Sequence, residues 1–322
     1  MKGLRIVFMG TPAFAVAGLK ALVEEGYNIV AVVTTPDKPA GRGQKLNESA
    51  VKIYAVEKGI PVLQPVNLKD EAFYESLRQF NPDLQIVVAF RMLPEKIWSM
   101  PPLGTYNLHA SLLPRYRGAA PINRAIMNGD SETGVCTFKL KHAIDTGSIL
   151  FCESVKIGSN MNAGQLHDVL MNLGARLLIK TVNAIEESVI TGTALVYTEQ
   201  NNTEASHAPK ISKETCRIDW TNQGQVIVDQ IRGLSPYPGA FTFLQNGALK
   251  LQLKIFDAGF KQTPHNHTNG FLSTDNKTYF KVACSDGYVE LMELQAEGKR
   301  RMTTAEFLRG TRLAGNACML NL

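Results

Sequence analysis

Apolar positions in the first half of the chain follow two alternating periods. Residues 4–9 form a short aliphatic run that ends in Gly10-Thr11-Pro12, and residues 29–34 and 84–89 are runs of the same kind. A fourth, 104–109, ends in Asn107-Leu-His109. Residues 13–25 instead carry Val16, Leu19, Leu22 and Val23 at helical spacing. Strands alternating with helices predict an α/β unit with a doubly wound, Rossmann-like, mostly parallel sheet. Ligands on such sheets bind beyond the carboxyl ends of the strands. Gly10-Thr11-Pro12, Ala89-Phe90-Arg91 and Asn107-Leu-His109 all fall at predicted strand ends, which places them around one cleft. Residues 134–140 and 148–155 read as a β-pair with Asp145 in its connection.

The second half changes character. Residues 163–187 predict a long helix with Leu166, Val169, Leu170, Leu173, Leu177, Leu178 and Val182 on one stripe. Periodicity then fades, and 191–207 is expected to be a linker between a domain of residues 1–190 and one of residues 208–322. A helix at 222–234 follows. Short strands at 240–244, 249–257, 270–272, 279–283 and 288–295, split by Gly, Asn and Pro, predict a smaller OB-like β-barrel.

A length of 322 residues supports two domains. With no run of 18 apolar residues, a transmembrane helix is not expected. The N-terminal apolar stretch is too short for a signal peptide and reads as a first strand, so a cytoplasmic location is expected. The five cysteines (136, 152, 216, 284 and 318) are scattered and form no C-x-x-C pair, which argues against a disulfide framework or a cysteine zinc site. From residue 208 onward 14 Lys and Arg face 10 Asp and Glu, against 20 and 19 before it. That basic C-terminal third suits a polyanion as well as it suits ordinary surface charge. Gly10-Thr-Pro is not a G-x-G-x-x-G fingerprint, which disfavours a bound dinucleotide. His265-x-His267 has metal-like spacing but no carboxylate or cysteine beside it, and no metal is expected.

Asn107 and His109 are two residues apart on a strand, so their side chains share a face. Singly, the histidine reads as structural, the asparagine as a strand-end cap, and Asp145 before Thr-Gly as a turn. Together they are an amide donor, an imidazole that can carry a proton near neutrality, and a carboxylate able to orient it. The trio needs no Ser or Cys nucleophile. It suits transfer of a carbonyl-borne group between two nitrogens, in which an oxyanion is held and a proton moved.

Asn107-x-His109, Ser111-Leu-Leu-Pro114, the following Arg115-Tyr-Arg-Gly-Ala-Ala-Pro-Ile122 and Asp145-Thr-Gly147 resemble the signature of the folate-dependent formyltransferases. Met9-Gly10-Thr11-Pro12-x-Phe14, the loop Pro36-Asp-Lys-Pro-Ala-Gly-Arg-Gly-Gln-Lys45, Lys213-x5-Asp219-Trp220 and Pro236-Tyr-Pro-Gly resemble the branch acting on methionyl-tRNA. The resemblance implies formyl transfer from 10-formyltetrahydrofolate, a co-substrate, to the α-amino group of methionyl initiator tRNA, for translation initiation, by a monomer without metal or membrane. It implies Asn107, His109 and Asp145 as catalytic residues. Ser111, Leu112, Leu113 and Pro114 would shape the folate pocket, and Phe90, Arg91 and Met92 would line its pterin part through backbone groups, although Arg91 stands where many relatives carry Gly. Lys38, Arg42 and Lys45 would touch tRNA, and Lys299-Arg300-Arg301 either follows its backbone or is a solvated turn. Gly10, Thr11, Pro12 and Phe14 would form the methionyl pocket. One alternative is a formyltransferase acting on a nucleotide-linked amino sugar, against which the 36–45 loop and the basic C-terminal domain argue. The other is a non-catalytic folate- or RNA-binding protein, against which the intact trio argues.

Overall fold

The computed structural model describes residues 2–40 and 45–320. The chain forms two compact units: one holds the residues up to Gly118 with Thr133–Val155 and His167–His207, the other Ala119–Glu132, Lys156–Leu166 and everything from Ala208.

The first unit is built on a seven-stranded sheet in the order Ile149–Lys156, Glu132–Lys139, Thr105–His109, Leu84–Val88, Lys2–Gly10, Tyr27–Val33, Val62–Leu63. Its middle is parallel, and Glu132–Lys139 runs antiparallel to Thr105–His109. All five residues of Leu84–Val88 are buried, as in a parallel strand covered on both faces. The α/β reading holds. The helix Ala13–Glu24 starts directly after Pro12 and buries Phe14, Ala15, Gly18, Leu19 and Leu22. Two short helices the periodicity did not single out, Ala50–Glu57 and Glu71–Arg78, are opened by the side chains of Ser49 and Asp70, which accept backbone N–H bonds. The long helix runs Ala163–Thr191, further than predicted. Leu170, Leu177, Leu178 and Val182 of its stripe are buried, whereas Val169 is exposed.

The cysteine reading is overturned at one pair. Cys136 and Cys152, 16 residues apart, form a disulfide. They lie on the neighbouring strands Glu132–Lys139 and Ile149–Lys156, and cross-strand adjacency leaves no mark in sequence spacing. Cys216, Cys284 and Cys318 are free.

The second unit is the expected small barrel. Leu272–Thr274, Phe280–Cys284, Gly287–Ala296, Leu249–Gln262, Ala240–Asn246 and Cys318–Leu320 pair in that order, antiparallel throughout, with Met302–Thr303 on Gly287–Ala296. A bridge between Phe271 and Cys318 joins the two edges, which removes the open sheet edge. Trp220, Ile227, Leu253, Phe280 and Leu294 fill the interior, and the buried Trp220 Nε1 donates to Thr242 Oγ1 at 2.9 Å. Leu249–Gln262 exceeds its predicted length. A helix after the strand Met302–Thr303, Thr304–Gly310, was not anticipated. Its signal is the Thr303-x-x-Glu306 capping box, whose reciprocal bonds are both present.

Candidate active site

Strand pairing aligns the three expected strand ends. Gly10 pairs with Val88, and Val88 with Leu108, so Asn107 and His109 emerge beside residues 10–11 and 89–90. Asn107 is half-buried, and no other described residue hydrogen-bonds its side-chain amide. His109 is only 6% exposed. Its Nε2 lies 2.8 Å from the carbonyl oxygen of Tyr116. A carbonyl only accepts, so Nε2 carries the hydrogen and Nδ1 is left facing the site. Asp145 Oδ2 stands 3.8 Å from that Nδ1, and the Gly118 N–H donates to the same oxygen at 2.8 Å. The short segment 116–118 therefore holds both the imidazole and the carboxylate.

The Asp145 turn is specified locally. Asp145 has φ +53°, a left-handed conformation that costs a non-glycine residue roughly 1 kcal/mol. Two residues on, a Cβ at Gly147 would lie 1.8 Å from the carbonyl oxygen of Lys139, so only glycine allows the turn to close on that strand. Thr146 Oγ1 donates to Ala143 O at 2.9 Å.

The segment expected as a linker carries residues that sequence reasoning passed over. Thr198 exchanges 2.8 Å backbone bonds with Ile149, and the Tyr197 hydroxyl bonds that of the buried Tyr106. Burial, with that partner, raises the Tyr106 phenol above its ordinary pKa. Gln200 Nε2 donates to the carbonyls of Asp145 and Gly147, each at 2.8 Å. Gln200 Oε1 accepts from Arg117 Nε at 3.0 Å and Nη2 at 2.7 Å. Tyr116 N–H donates to Ser206 Oγ, and Arg117 N–H to Ser206 O. Nothing in their spacing marks Gln200 and Ser206; Arg117 lay inside the 115–122 motif without a role.

The remaining expected site residues divide. Ser111 is fully buried and donates to Arg115 O at 2.6 Å, closing the turn after the strand. Leu113 packs with Cys136, Phe138 and Ile149, and Leu112 packs against that cluster. Pro114 is half-buried after a cis peptide bond. Phe90 is half-buried and Met92 is 72% exposed. The Arg91 side chain donates to Pro65 O at 2.7 Å and Val66 O at 3.0 Å. Burial lowers its pKa. A Cβ at Gly10 would meet Ala15 Cβ at 2.6 Å, and Phe14 is buried edge-on to His167. Gly10 and Phe14 thus shape the strand–helix turn, while Thr11 is half-buried and Pro12 exposed. Lys38 is exposed on the strand Lys38–Ala40, which pairs with Lys45–Asn47. Arg42 lies outside the described residues, as does the side chain of Lys45. Among the described residues no cluster of three or more His, Cys, Asp or Glu could hold a metal ion. Nor, among those residues, is any helix long and apolar enough to cross a membrane.

Residues 4–182 match the family model described as formyl transferase, and residues 210–312 match that of the formyl transferase C-terminal domain. The chain is 53% identical over 312 residues to the methionyl-tRNA formyltransferase of Bacteroides thetaiotaomicron, covering 97% of each. It is 54% identical over 318 residues to that of Phocaeicola vulgatus, covering 98% of each. Among solved structures it is similar to WlaRD, a sugar 3N-formyl transferase crystallised with dTDP and 5-N-formyl-THF. That likeness has a TM-score of 0.63 at 18% identity and covers 92% of this chain and 99% of that one. An N-formyltransferase from Helicobacter canadensis, in complex with folinic acid and dTDP-3-aminofucose, gives a TM-score of 0.62 at 19% identity over 93% and 100% of the two chains. At these identities the structural likeness is one of fold.

Proposed function

This chain belongs to the formyl transferase family, and from that premise we propose that it moves the formyl group of 10-formyltetrahydrofolate onto the α-amino group of methionyl initiator tRNA. Relatives about half identical over nearly their whole length, named for that reaction, support this acceptor. The observation that carries the chemistry is the trio: an amide with no partner among the described residues, beside an imidazole whose Nδ1 faces a carboxylate at 3.8 Å.

The donor set fits a folate-borne formyl group, which supplies an electrophilic carbonyl carbon on nitrogen. The acceptor amine attacks that carbon, and charge collects on the carbonyl oxygen. Asn107 donates to this oxygen, and His109 adds a donor from Nδ1 when the ring is protonated. Preorganised donors of this kind are each worth about 3 kcal/mol in the transition state. The attacking nitrogen becomes positive and sheds a proton, which Asp145 accepts directly or through water. The leaving folate nitrogen regains one, so the exchange is proton-neutral. Ser111, Leu112, Leu113 and Pro114 shape the folate side of the cleft, together with Phe90 and Met92. Arg91 contributes by fixing the 65–66 loop. Thr11 and Pro12 are the residues of the 10–14 turn left to meet the methionyl side chain. Lys38, Arg42 and Lys45 are assigned to the acceptor arm, with chemistry in residues 1–190 and tRNA gripping in 208–322. All three catalytic side chains come from one chain, so a monomer suffices, and a cytoplasmic location suits a step of translation initiation.

The test is acceptor choice. The purified chain, given 10-formyltetrahydrofolate, should formylate methionyl initiator tRNA and leave a dTDP-linked amino sugar untouched. The opposite preference would overturn the acceptor. Equal turnover by wild type and an Asn107→Ala, His109→Ala double variant would overturn the enzyme reading altogether.

A further inference from the structure

Gln200 uses its whole hydrogen-bonding capacity at one place. Its two N–H groups go to the carbonyls of Asp145 and Gly147, and its oxygen takes two bonds from Arg117. A primary amide has two donors and two acceptor lone pairs, so nothing is left over. The amide cannot flip, because a flip would set its oxygen against two carbonyls and its N–H groups against a guanidinium. Arg117 is itself only 8% exposed and is held by Asn202 Oδ1 at 2.9 Å. Its neighbour Gly118 closes the circuit by donating to the Asp145 carboxylate. The ring of bonds thus runs from Arg117 to Gln200, to the backbone of the left-handed Asp145, to its carboxylate, and back through Gly118.

We propose that Gln200 is a positioning residue for the transfer reaction: it holds the Asp145 turn, through the buried Arg117, so that the carboxylate meets the Nδ1 side of His109. The inference rests on the catalytic reading of the trio. The working separation of 3.8 Å lies just outside hydrogen-bond range, where a small drift of the turn decides whether a proton can pass, directly or over one water. Residues 197–206 are then the back wall of the active site, fixed to the sheet through Tyr197 and Thr198 and to the 116–117 segment through Ser206, and sequence changes there act on turnover.

Gln200→Glu keeps the length and the acceptor for Arg117 while deleting both N–H donors; Gln200→Met removes donors and acceptors without adding charge. Each variant should keep its KM for folate and tRNA near wild type, while its melting temperature falls modestly because buried polar groups lose partners. Each should lose roughly tenfold to a hundredfold in kcat, the scale of a small misplacement of a reacting group. In an Asp145→Asn background the same changes should cost nothing further, since a residue acting only through Asp145 is not additive with its loss. In the substrate-free protein the Gly118 amide should exchange with deuterium faster in both variants. Unchanged kcat, a loss that adds in full to that of Asp145→Asn, or unchanged Gly118 exchange overturns the proposal. Faster Gly118 exchange in a chain whose wild type formylates no methionyl-tRNA would sink the acceptor reading and leave the clamp standing.

Discussion

The carbonyl of Tyr116 lies 2.8 Å from His109 Nε2 and thereby decides which imidazole nitrogen faces the chemistry. With Nε2–H committed, Nδ1 is a donor only in the imidazolium form, and Asp145 is the carboxylate beside it. In the proposed reaction one nitrogen of His109 would then serve both to hold a negative oxygen and to relay a proton.

Two substitutions separate the nitrogens. The amide of His109→Asn overlays the Nδ1 side of the ring, whereas that of His109→Gln reaches the Nε2 side. Both should lower kcat, by roughly a hundredfold to a thousandfold for the loss of an oxyanion donor. The asparagine variant should retain more activity than the glutamine variant, because it still presents an N–H to the site. Single-turnover rates with saturating substrates measure this, and the reverse order would make Nε2 the working atom.

Asp145→Asn leaves an oxygen to accept the Gly118 N–H and two backbone carbonyls for Gln200, so the turn survives. It removes the group that accepts the amine proton. The expected result is a fall in kcat of roughly a hundredfold or more with folate affinity unchanged. An unaltered kcat would remove Asp145 from the mechanism.

What the sequence disclosed follows from how local each feature is. Asn107 and His109 were legible because strand periodicity and the alternating α/β pattern together put both on one face at a strand's carboxyl end. The barrel was legible from Gly- and Pro-punctuated short strands, while its capping-box helix and the short strands Met302–Thr303 and Cys318–Leu320 escaped. Asp145 joined the site through its motif, since a left-handed turn residue carries no periodic signal. Gln200 and Ser206 were illegible for a firmer reason. They lie in a polar, aperiodic stretch that looks like a connection, and their partners at 145–147 and 116–117 are more than 50 residues away. Arg91 is a further case of long-range partners that leave no mark in the sequence. Its guanidinium reaches the carbonyls of Pro65 and Val66, partners 26 and 25 residues earlier in the chain that no local pattern foretells. The disulfide at Cys136 shows the same limit, because pairing depends on which strands become neighbours.

The hairpin Lys38–Ala40 and Lys45–Asn47 has a pinned base. Asp37 binds Lys52 and accepts from Gln64 Nε2 at 2.7 Å, and those hydrogen bonds lower its pKa. The bond to Asp37 likewise raises that of Lys52. A lowered carboxylate stays charged until strongly acid pH and a raised lysine until strongly alkaline pH, so the pin is intact throughout the neutral range. Arg42→Ala should therefore leave this pin intact. It should raise KM for tRNA, leave folate binding unchanged, and make the log–log salt dependence of tRNA binding shallower by roughly one. A loss confined to folate binding would move Arg42 out of the tRNA interface. Lys52→Met, which frees the base, should also raise KM for tRNA without touching folate affinity.

The barrel carries its own acid-sensitive element. Glu306 accepts the Thr303 N–H at 2.9 Å and pairs with Arg300 at 2.7 Å, and these bonds lower its pKa from 4.5 to about 2. A carboxylate with a depressed folded-state pKa stabilises the fold fully above its unfolded value. That contribution is lost as pH falls through the folded one. Glu306→Gln should therefore melt at a lower temperature than wild type at neutral pH, because the charged cap on the helix Thr304–Gly310 is gone. The gap should narrow as pH falls from about 4.5 towards about 2, where the wild-type cap is itself neutralised. The other carboxylates titrate alike in both proteins and cancel in the difference, so paired melting curves across that range isolate this one group. A gap that stays constant with pH would show that Glu306 acts by shape and not by charge.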